Sequence, residues 1–565
     1  MPRDRRPYLL LPLVAFVAIV PLLVYGCSCG HDFDFHIVSW MEAARQFLHG
    51  NLQLHWAYTA AYNTGEPRFV FYPPLSWTLG AILGIAMPWT WTPIVYTWLA
   101  LTAAGCSLYY LAKDFATPTA SLLAATFYIV NPYMLFTAYE RTAYAELLAA
   151  AWIPLLLHAI LRDRVTIPRI AIPIALLWMT NAPAAVMGCY ALVLLTALRL
   201  ITAKRGTSRT DTMSSVRLVL NTMAGTLLGL ALAAFYILPA AYERRYVQIA
   251  MALLPGERIQ DNFIFHRVPV AASDPFHDAV LHTASVVAAI LILLTFAAIL
   301  LRYLQDRKPG SVEAKHAVVQ RLPAILALFA IAIVFLLTSL SGPIWNHAPE
   351  LNFLQFPWRL LAILAAALSL VIALVLSHRK VKPGLTATVA IVIVGALIAS
   401  AYIVFRQECD DPDTVQARLA VFRSNSGSDP TDEYTPLAAD NDVLGQKNPG
   451  YWLTQNPTAP APPDSVPAPA PTQLSLNVAT PQNLILNLRN YPNWRVTRNG
   501  AIVAARLRRA DGLMAIPLPA GPSNLVITYI DAPDQILGDA LTVLAFIVLL
   551  FLLRHGLRRR DSTDC

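Results

Sequence analysis

Charge is scarce in this chain. Only 13% of its 565 residues are Asp, Glu, Lys or Arg, and 56% are hydrophobic; soluble chains carry about 25% and roughly 45–50%. Such a composition cannot cover a water-facing surface, which excludes a soluble multidomain protein. Lysine is scarcer still, at seven of 42 basic residues. The formal charge of +8 sits in short basic clusters between apolar runs, a pattern of membrane topology that argues against a nucleic-acid partner. Six cysteines without a repeated spacing exclude a disulfide-framed secreted scaffold and a zinc ribbon. Cys27 and Cys29 are too close to suggest a structural disulfide, and Cys106 and Cys189 read as small core residues of apolar helices. Also missing are a GxGxxG followed by an acidic residue, a Walker loop, a nucleophile elbow and an HExxH zinc site.

What is abundant is apolar sequence in long runs. A helix spanning the hydrocarbon core needs roughly 20 such residues. Thirteen candidates lie near 8–26, 72–88, 92–112, 117–136, 145–161, 170–181, 184–198, 218–239, 279–301, 322–340, 357–377, 384–405 and 535–553. The first reads as an uncleaved anchor: Tyr25 suits a cleavage site poorly, and the run exceeds the usual 7–15-residue core of a signal peptide. Six clusters, within 3–6, 162–169, 199–217, 302–321, 379–382 and 554–560, hold 23 of the 42 basic residues. The positive-inside rule places all six in the cytoplasm. Both termini are then cytoplasmic, and 27–71, 240–277, 341–356 and 406–534 lie outside, as expected of a multi-pass protein of the plasma (inner) membrane. Parity fails only between residues 72 and 136, where one segment must be re-entrant or half-length. The fragment Pro88-Trp89-Thr90-Trp91-Thr92-Pro93 is the expected break.

The segment 406–534 is different material. Eight prolines between Asn448 and Gln473 predict a stiff, extended tether. Alternating strand-like runs follow, and Arg498-Asn499-Gly500 offers an Asn-Gly hairpin turn. The expected organisation is a multi-pass membrane module (1–405), a Pro-rich extracytoplasmic tether (406–472), a small β-sandwich (473–534) and a last helix with a basic tail (535–565).

Four stretches could carry chemistry. Immediately after the first helix comes His31-Asp32-Phe33-Asp34-Phe35-His36. Ionisable groups at a membrane boundary are costly unless used or well solvated. If helical, Asp32 and His36 share one face, and His31 and Asp34 another. A carboxylate here could deprotonate a hydroxyl or hold a divalent cation, and a histidine could bind phosphate or the metal. A solvated capping cluster is the plainer alternative. Ile37 to Leu48 then reads as an amphipathic helix along the interface. The second stretch, Gly65-Glu66-Pro67-Arg68-Phe69-Val70-Phe71-Tyr72-Pro73-Pro74-Leu75, closes into a membrane helix with prolines at its start. Arg68 could clamp a phosphate or merely snorkel. In the third, Tyr139 to Glu146, Arg141 and Glu146 could join the same charged cavity or pair with each other. The fourth comprises Tyr242 to Tyr246 and Gln355-Phe356-Pro357-Trp358-Arg359. Arg359 stands out there, because a cation just inside an apolar helix faces a cavity or a partner.

The order of these motifs, with Asn490-Tyr491-Pro492-Asn493-Trp494 and Asn499-Gly500 near the end, resembles the bacterial membrane proteins labelled 6-pyruvoyl-tetrahydropterin synthase-related. The three-histidine zinc site of the soluble pterin synthase is not in these motifs. The architecture instead resembles the GT-C glycosyltransferases: a polytopic helical membrane protein of about 13 helices with a small outer β-sandwich before the last. The resemblance implies an acidic catalytic residue in the first outer loop and a sugar delivered on a polyprenyl phosphate. Carried over by position, Asp32 is the acidic residue, with Asp34 and His36 beside it. His31, Arg68, Tyr72, Arg141, Glu146 and Arg359 become substrate-binding candidates, Arg68 and Arg141 for the carrier phosphate. The carboxylates are separated by Phe33, where many of those enzymes pair them, so a Mg or Mn cofactor stays open. The acceptor would be an envelope glycan, lipid or protein.

Two classes of function fit. One is a transferase moving a sugar from the carrier at the outer face. The other is a non-catalytic module that binds lipid-linked glycans during envelope assembly. A transporter fits less well, since the two halves show no matching pair of broken hydrophobic segments.

Overall fold

The computed structural model describes residues 6–202, 209–266, 274–307, 317–378 and 383–561. Arg3 and Arg5, Lys204 and Arg205, Lys308 and Lys315, and Arg379 to Lys382, from four of the basic clusters, lie outside the described residues, as does the end of the last tail.

The apolar runs form helices α1 (Pro7–Tyr25), α3 (Pro74–Ala86), α4 (Thr92–Ala112), α5 (Pro118–Tyr139), α6 (Tyr144–Leu161), α7 (Ile167–Thr180), α8 (Ala182–Thr202), α9 (Arg209–Leu232), α11 (Pro275–Asp306), α12 (Ala317–Leu336), α13 (Pro357–Ser377), α14 (Pro383–Phe405) and α16 (Pro533–Asp561). Between them lie the amphipathic α2 (Phe33–Leu48), the short α10 (Ala234–Glu243) and α15 (Val415–Arg423). Among the described residues ten helices are long and apolar enough to cross a membrane, or eleven if the piece Arg321–Leu336 of α12 and Ser339–His347, which meet at 89°, form one span. The chain is an integral membrane protein, and of the thirteen candidate runs ten or eleven are long enough to cross.

The two remaining runs are too short. Helix α3 has 13 residues and α7 has 14, about 20 Å each at the helical rise. A turn over Met87–Trp91 separates α3 from α4. Helix α7 stops at Asn181, on the wall of a large cavity, and irregular backbone at membrane depth is tolerated where it lines such a space.

Burial orders the bundle. The windows of α6 and α13 are 89% and 83% buried, those of α14 and α16 only 17%. The first two are central and carry Glu146 and Arg359; the last two present apolar faces outward.

Near the end of the chain two antiparallel sheets stack. One has the order β1 (Tyr451–Thr454), β3 (Gln482–Arg489), β6 (Leu513–Leu518); the other runs β2 (Gln473–Val478), β7 (Gly521–Tyr529), β4 (Trp494–Arg498), β5 (Ala501–Ile502). Leu484, Leu486, Met514 and Ile516 from one sheet meet Val496, Leu525 and Ile527 from the other in one core. Asn499 and Gly500, at φ 49° and 83°, close the β4–β5 hairpin with Arg498 opposite Ala501, as a primed turn requires.

The β-unit is docked, and the segment before it is no free tether. Trp56, from the loop after α2, enters the sandwich core and lies 5.5 Å from both Tyr491 and Trp494. Gly65 (φ 75°) brings its backbone against that indole where any Cβ would collide, which explains the glycine of the second motif. The Tyr491 hydroxyl donates to Glu243 at 2.6 Å, and Gln535 Nε2 donates to the other Glu243 oxygen at 2.8 Å. Cys409 is disulfide-bonded to Cys29 across 380 residues. Neither partner is Cys27, so the sequence spacing of Cys27 and Cys29 is irrelevant to the pairing. Further along, Tyr62 N donates to Ser428 O and Ser428 N to Thr59 O, both at 2.8 Å. Strand β1 is itself drawn from the proline-rich stretch.

Candidate functional site

A break between α5 and α6 builds the site. Thr142 turns the chain at φ 47°, a left-handed conformation that costs a β-branched residue on the order of 1–3 kcal/mol. The turn brings Arg141 and Glu146 together. Asp32 N donates to Arg141 O at 2.9 Å, and Gly30 lies so close to the Glu140 carbonyl that a Cβ would not fit. The start of α2 is thereby pinned to the bundle centre.

From Asp32 a chain of polar contacts crosses one wall. Arg141 Nη2 is 3.5 Å from Asp32 Oδ2, and Arg141 Nη1 is 2.6 Å from Glu146 Oε2. The same Glu146 oxygen lies 3.4 Å from Arg359 Nε, and the Tyr133 hydroxyl donates to the other. Arg359 Nη1 donates to Leu354 O at 2.7 Å and lies 3.5 Å from Gln355 Oε1. Gln355 Nε2 is 3.3 Å from Glu257 Oε2. Arg141 stacks over Trp358 at 4.8 Å and Arg359 over Phe356 at 4.7 Å, so the aromatic pair of the fourth motif holds both guanidiniums. Arg141, Glu146 and Arg359 are buried, whereas the Asp32 side chain is 42% exposed. Arg359 Nε makes no hydrogen bond among the described residues. Buried charges cost several kcal/mol each to desolvate, and such clusters inside membrane proteins mark sites of function.

The cavity in front of this wall has a volume of about 780 Å³. His31, Asp32, His36, Tyr72, Arg141 and Arg359 all line it, so six of the nine residues singled out from sequence converge. Three do not reach it. Glu146 sits behind the arginines. Asp34 points away, into an ion pair with Arg418 at 2.7 Å. Arg68 is consumed by Glu66 at 2.8 Å, Ser39 at 3.0 Å and Thr431 at 3.0 Å, with Phe35 beneath it; its expected phosphate contact is replaced by a buried structural one. The histidines also differ from expectation. Burial pushes His31 and His36 down to about 4, with Arg141 adding to the effect on both. Both are neutral at pH 7 and give a phosphate no positive charge. Burial opposes the charge of Arg141, but the carboxylates of Glu146 and Asp32 outweigh it and raise its pKa.

Sequence reasoning missed part of the lining. Glu257, Asn262, Asp274 and His277 line the cavity from the loop after α10 and the start of α11, and Glu433 and Tyr434 from the disulfide-tied connector. Burial lifts Glu433 to about 7. Gln355 stood in a quoted motif, whereas the others are isolated polar residues with no local pattern. Apolar side chains, among them Trp178, Val186, Ile237, Val280 and Leu281, complete the lining.

Among the described residues no three His, Cys, Asp or Glu side chains converge as ligands of a metal ion. Asp34 faces Arg418, and Arg141 already sets a positive charge against Asp32.

No family model matches this chain, and no curated protein matches it, so the pterin synthase-related likeness is not shown. Solved structures do resemble it. The arabinofuranosyltransferase AftD from Mycobacteria is 14% identical over 94% of this chain and 42% of its own, with a TM-score of 0.46. The Archaeoglobus fulgidus oligosaccharyltransferase, in complex with Zn and sulfate, is 14% identical over 72% of this chain and 54% of its own, at 0.36. ArnT from Cupriavidus metallidurans, bound to undecaprenyl phosphate, is 11% identical over 74% and 88%, at 0.26. The chain therefore spans less than half the length of AftD. These neighbours are GT-C glycosyltransferases, and scores this low carry no function across.

Proposed function

We propose that this chain is a membrane glycosyltransferase that moves a sugar from a polyprenyl-phosphate carrier to a hydroxyl of an envelope glycan, lipid or protein. The observation that supports it most is the pair of stacked, buried guanidiniums, Arg141 and Arg359, beside Asp32 in a cavity that also has an apolar stretch of wall. That combination suits an amphiphile with one phosphate. Glu146 lies behind the two arginines and Asp32 stands 3.5 Å from Arg141, so the charges of this wall balance and a phosphate would be held by guanidinium donors, whose charge-assisted hydrogen bonds to phosphate are the strong kind. The isoprenoid would lie along Val186, Ile237, Val280 and Leu281.

In the transfer, the acceptor oxygen attacks the anomeric carbon and Asp32 takes its proton. The bond from that carbon to the phosphate oxygen breaks, and the carrier phosphate leaves with the electron pair against the arginines. Attack from the face opposite the phosphate inverts the anomeric centre. Two features favour the outer side of the membrane. The positive-inside rule puts the basic clusters in the cytoplasm and 406–534 outside, and the Cys29–Cys409 disulfide suits an oxidising compartment.

The test is binding and turnover of polyprenyl-phosphate sugars by purified protein, wild type beside Asp32→Asn. The amide keeps the shape but cannot act as a base, so transfer should fall by about 10²–10⁴ with carrier binding retained. Binding by both proteins without turnover would instead identify a carrier-binding module. No binding by either would remove the carrier from the account.

A further inference from the structure

The cavity holds a second carboxylate with a different environment from that of Asp32. Glu257 is open to the cavity and makes no ion pair among the described residues. It receives only the Gln355 amide, at 3.3 Å. The surrounding protein raises its carboxyl above the ordinary glutamate range, against the pull of Arg359. His277 stands beside it, held by Asn262 Oδ1 at 3.0 Å and Asp278 Oδ1 at 3.3 Å. Asn262 in turn donates to Gly256 O at 2.7 Å and Arg258 O at 2.8 Å, which braces the loop that presents Glu257.

An ionised carboxylate is acceptor-only and has about four lone-pair sites to fill. One weak amide contact leaves most of them to solvent in the open cavity, where donors from a ligand can take them up. A phosphate has no donors and is repelled by the carboxylate. Neutral vicinal hydroxyls match it. The position also matters: Gln355 links Glu257 directly to Arg359, so a group attached to a phosphate held by Arg359 reaches Glu257 next.

We propose that Glu257 is the sugar-selecting residue of this cavity, accepting hydrogen bonds from hydroxyls of the sugar on the carrier, with Gln355 and His277 positioning it. The inference rests on the transferase reading only in requiring a phosphate-linked sugar, and binding tests it without turnover.

The probes are farnesyl phosphate and farnesyl phosphates bearing glucose, mannose or arabinose, titrated into purified wild type, Glu257→Gln and Glu257→Ala. Wild type should hold one sugar-bearing probe more tightly than farnesyl phosphate itself. Glu257→Ala should weaken that probe by about 10- to 100-fold, the worth of hydrogen bonds to a charged group, and Glu257→Gln by part of this. Both variants should bind farnesyl phosphate as wild type does, which also shows that they fold. A sugar preference surviving in both variants, or none in wild type, would overturn the assignment of Glu257. Failure of wild type to bind farnesyl phosphate would overturn the carrier reading, and the sugar site with it.

Discussion

Replacing Glu146 with glutamine tests the electrostatic centre of the cavity. Its Oε2 serves both arginines, at 2.6 Å from Arg141 and 3.4 Å from Arg359, and all three side chains are buried. The amide preserves shape and removes the charge. Two guanidiniums are then left in a low-dielectric interior with only Asp32, half open to solvent, as counter-ion. Breaking a buried pair in this way costs about 3–5 kcal/mol. Purified Glu146→Gln in detergent should therefore melt well below wild type. An anion can take the place of the missing carboxylate, so decyl phosphate should raise the variant's melting midpoint more than that of wild type. At a hundredfold excess over its dissociation constant a ligand contributes about 2.7 kcal/mol, enough to recover much of the loss. Decanol, with the same chain and no charge, is the control. The reasoning is refuted if the variant melts with wild type, or if decyl phosphate shifts both equally.

Two further outcomes concern how the outer unit is held. Burial pushes Glu243 from 4.5 to about 7, so the folded protein holds this proton more tightly than the unfolded chain. Its contribution is complete below pH 4.5 and is lost as pH rises through about 7, a loss of about 3 kcal/mol. Glu243→Gln should melt with a shallower decline between pH 5 and 8, and an unchanged slope would show that the burial of Glu243 carries no such linkage. Cys409→Ser should cost about 2–5 kcal/mol, and reductant should bring wild type down to the same midpoint; indifference of wild type to reductant would refute the tie.

The membrane character, the apolar helices and the Asn-Gly hairpin are legible because they depend on local composition and period. So, one by one, are the candidates His31, Asp32, His36, Tyr72, Arg141 and Arg359, since ionisable groups beside apolar runs have few reasons to exist; that they line one cavity is not. Arg68 and Asp34 misled for a physical reason. A lone arginine or aspartate looks the same in sequence whether its partner is a ligand or a neighbouring side chain. Glu66 lies two residues from Arg68, but Arg418 is hundreds of residues from Asp34.

The sequence by itself determined what must face lipid, where helices run out, and which few charges a lipid-embedded chain keeps. Tertiary structure alone decided which charges meet. It closed Cys29 on Cys409, seated Trp56 in a sandwich core built from the other end of the chain, and brought Glu257 and Asp32 to one cavity. Burial energies follow local composition and can be read residue by residue. Pairings across hundreds of residues depend on how helices pack, and no short stretch of sequence encodes them.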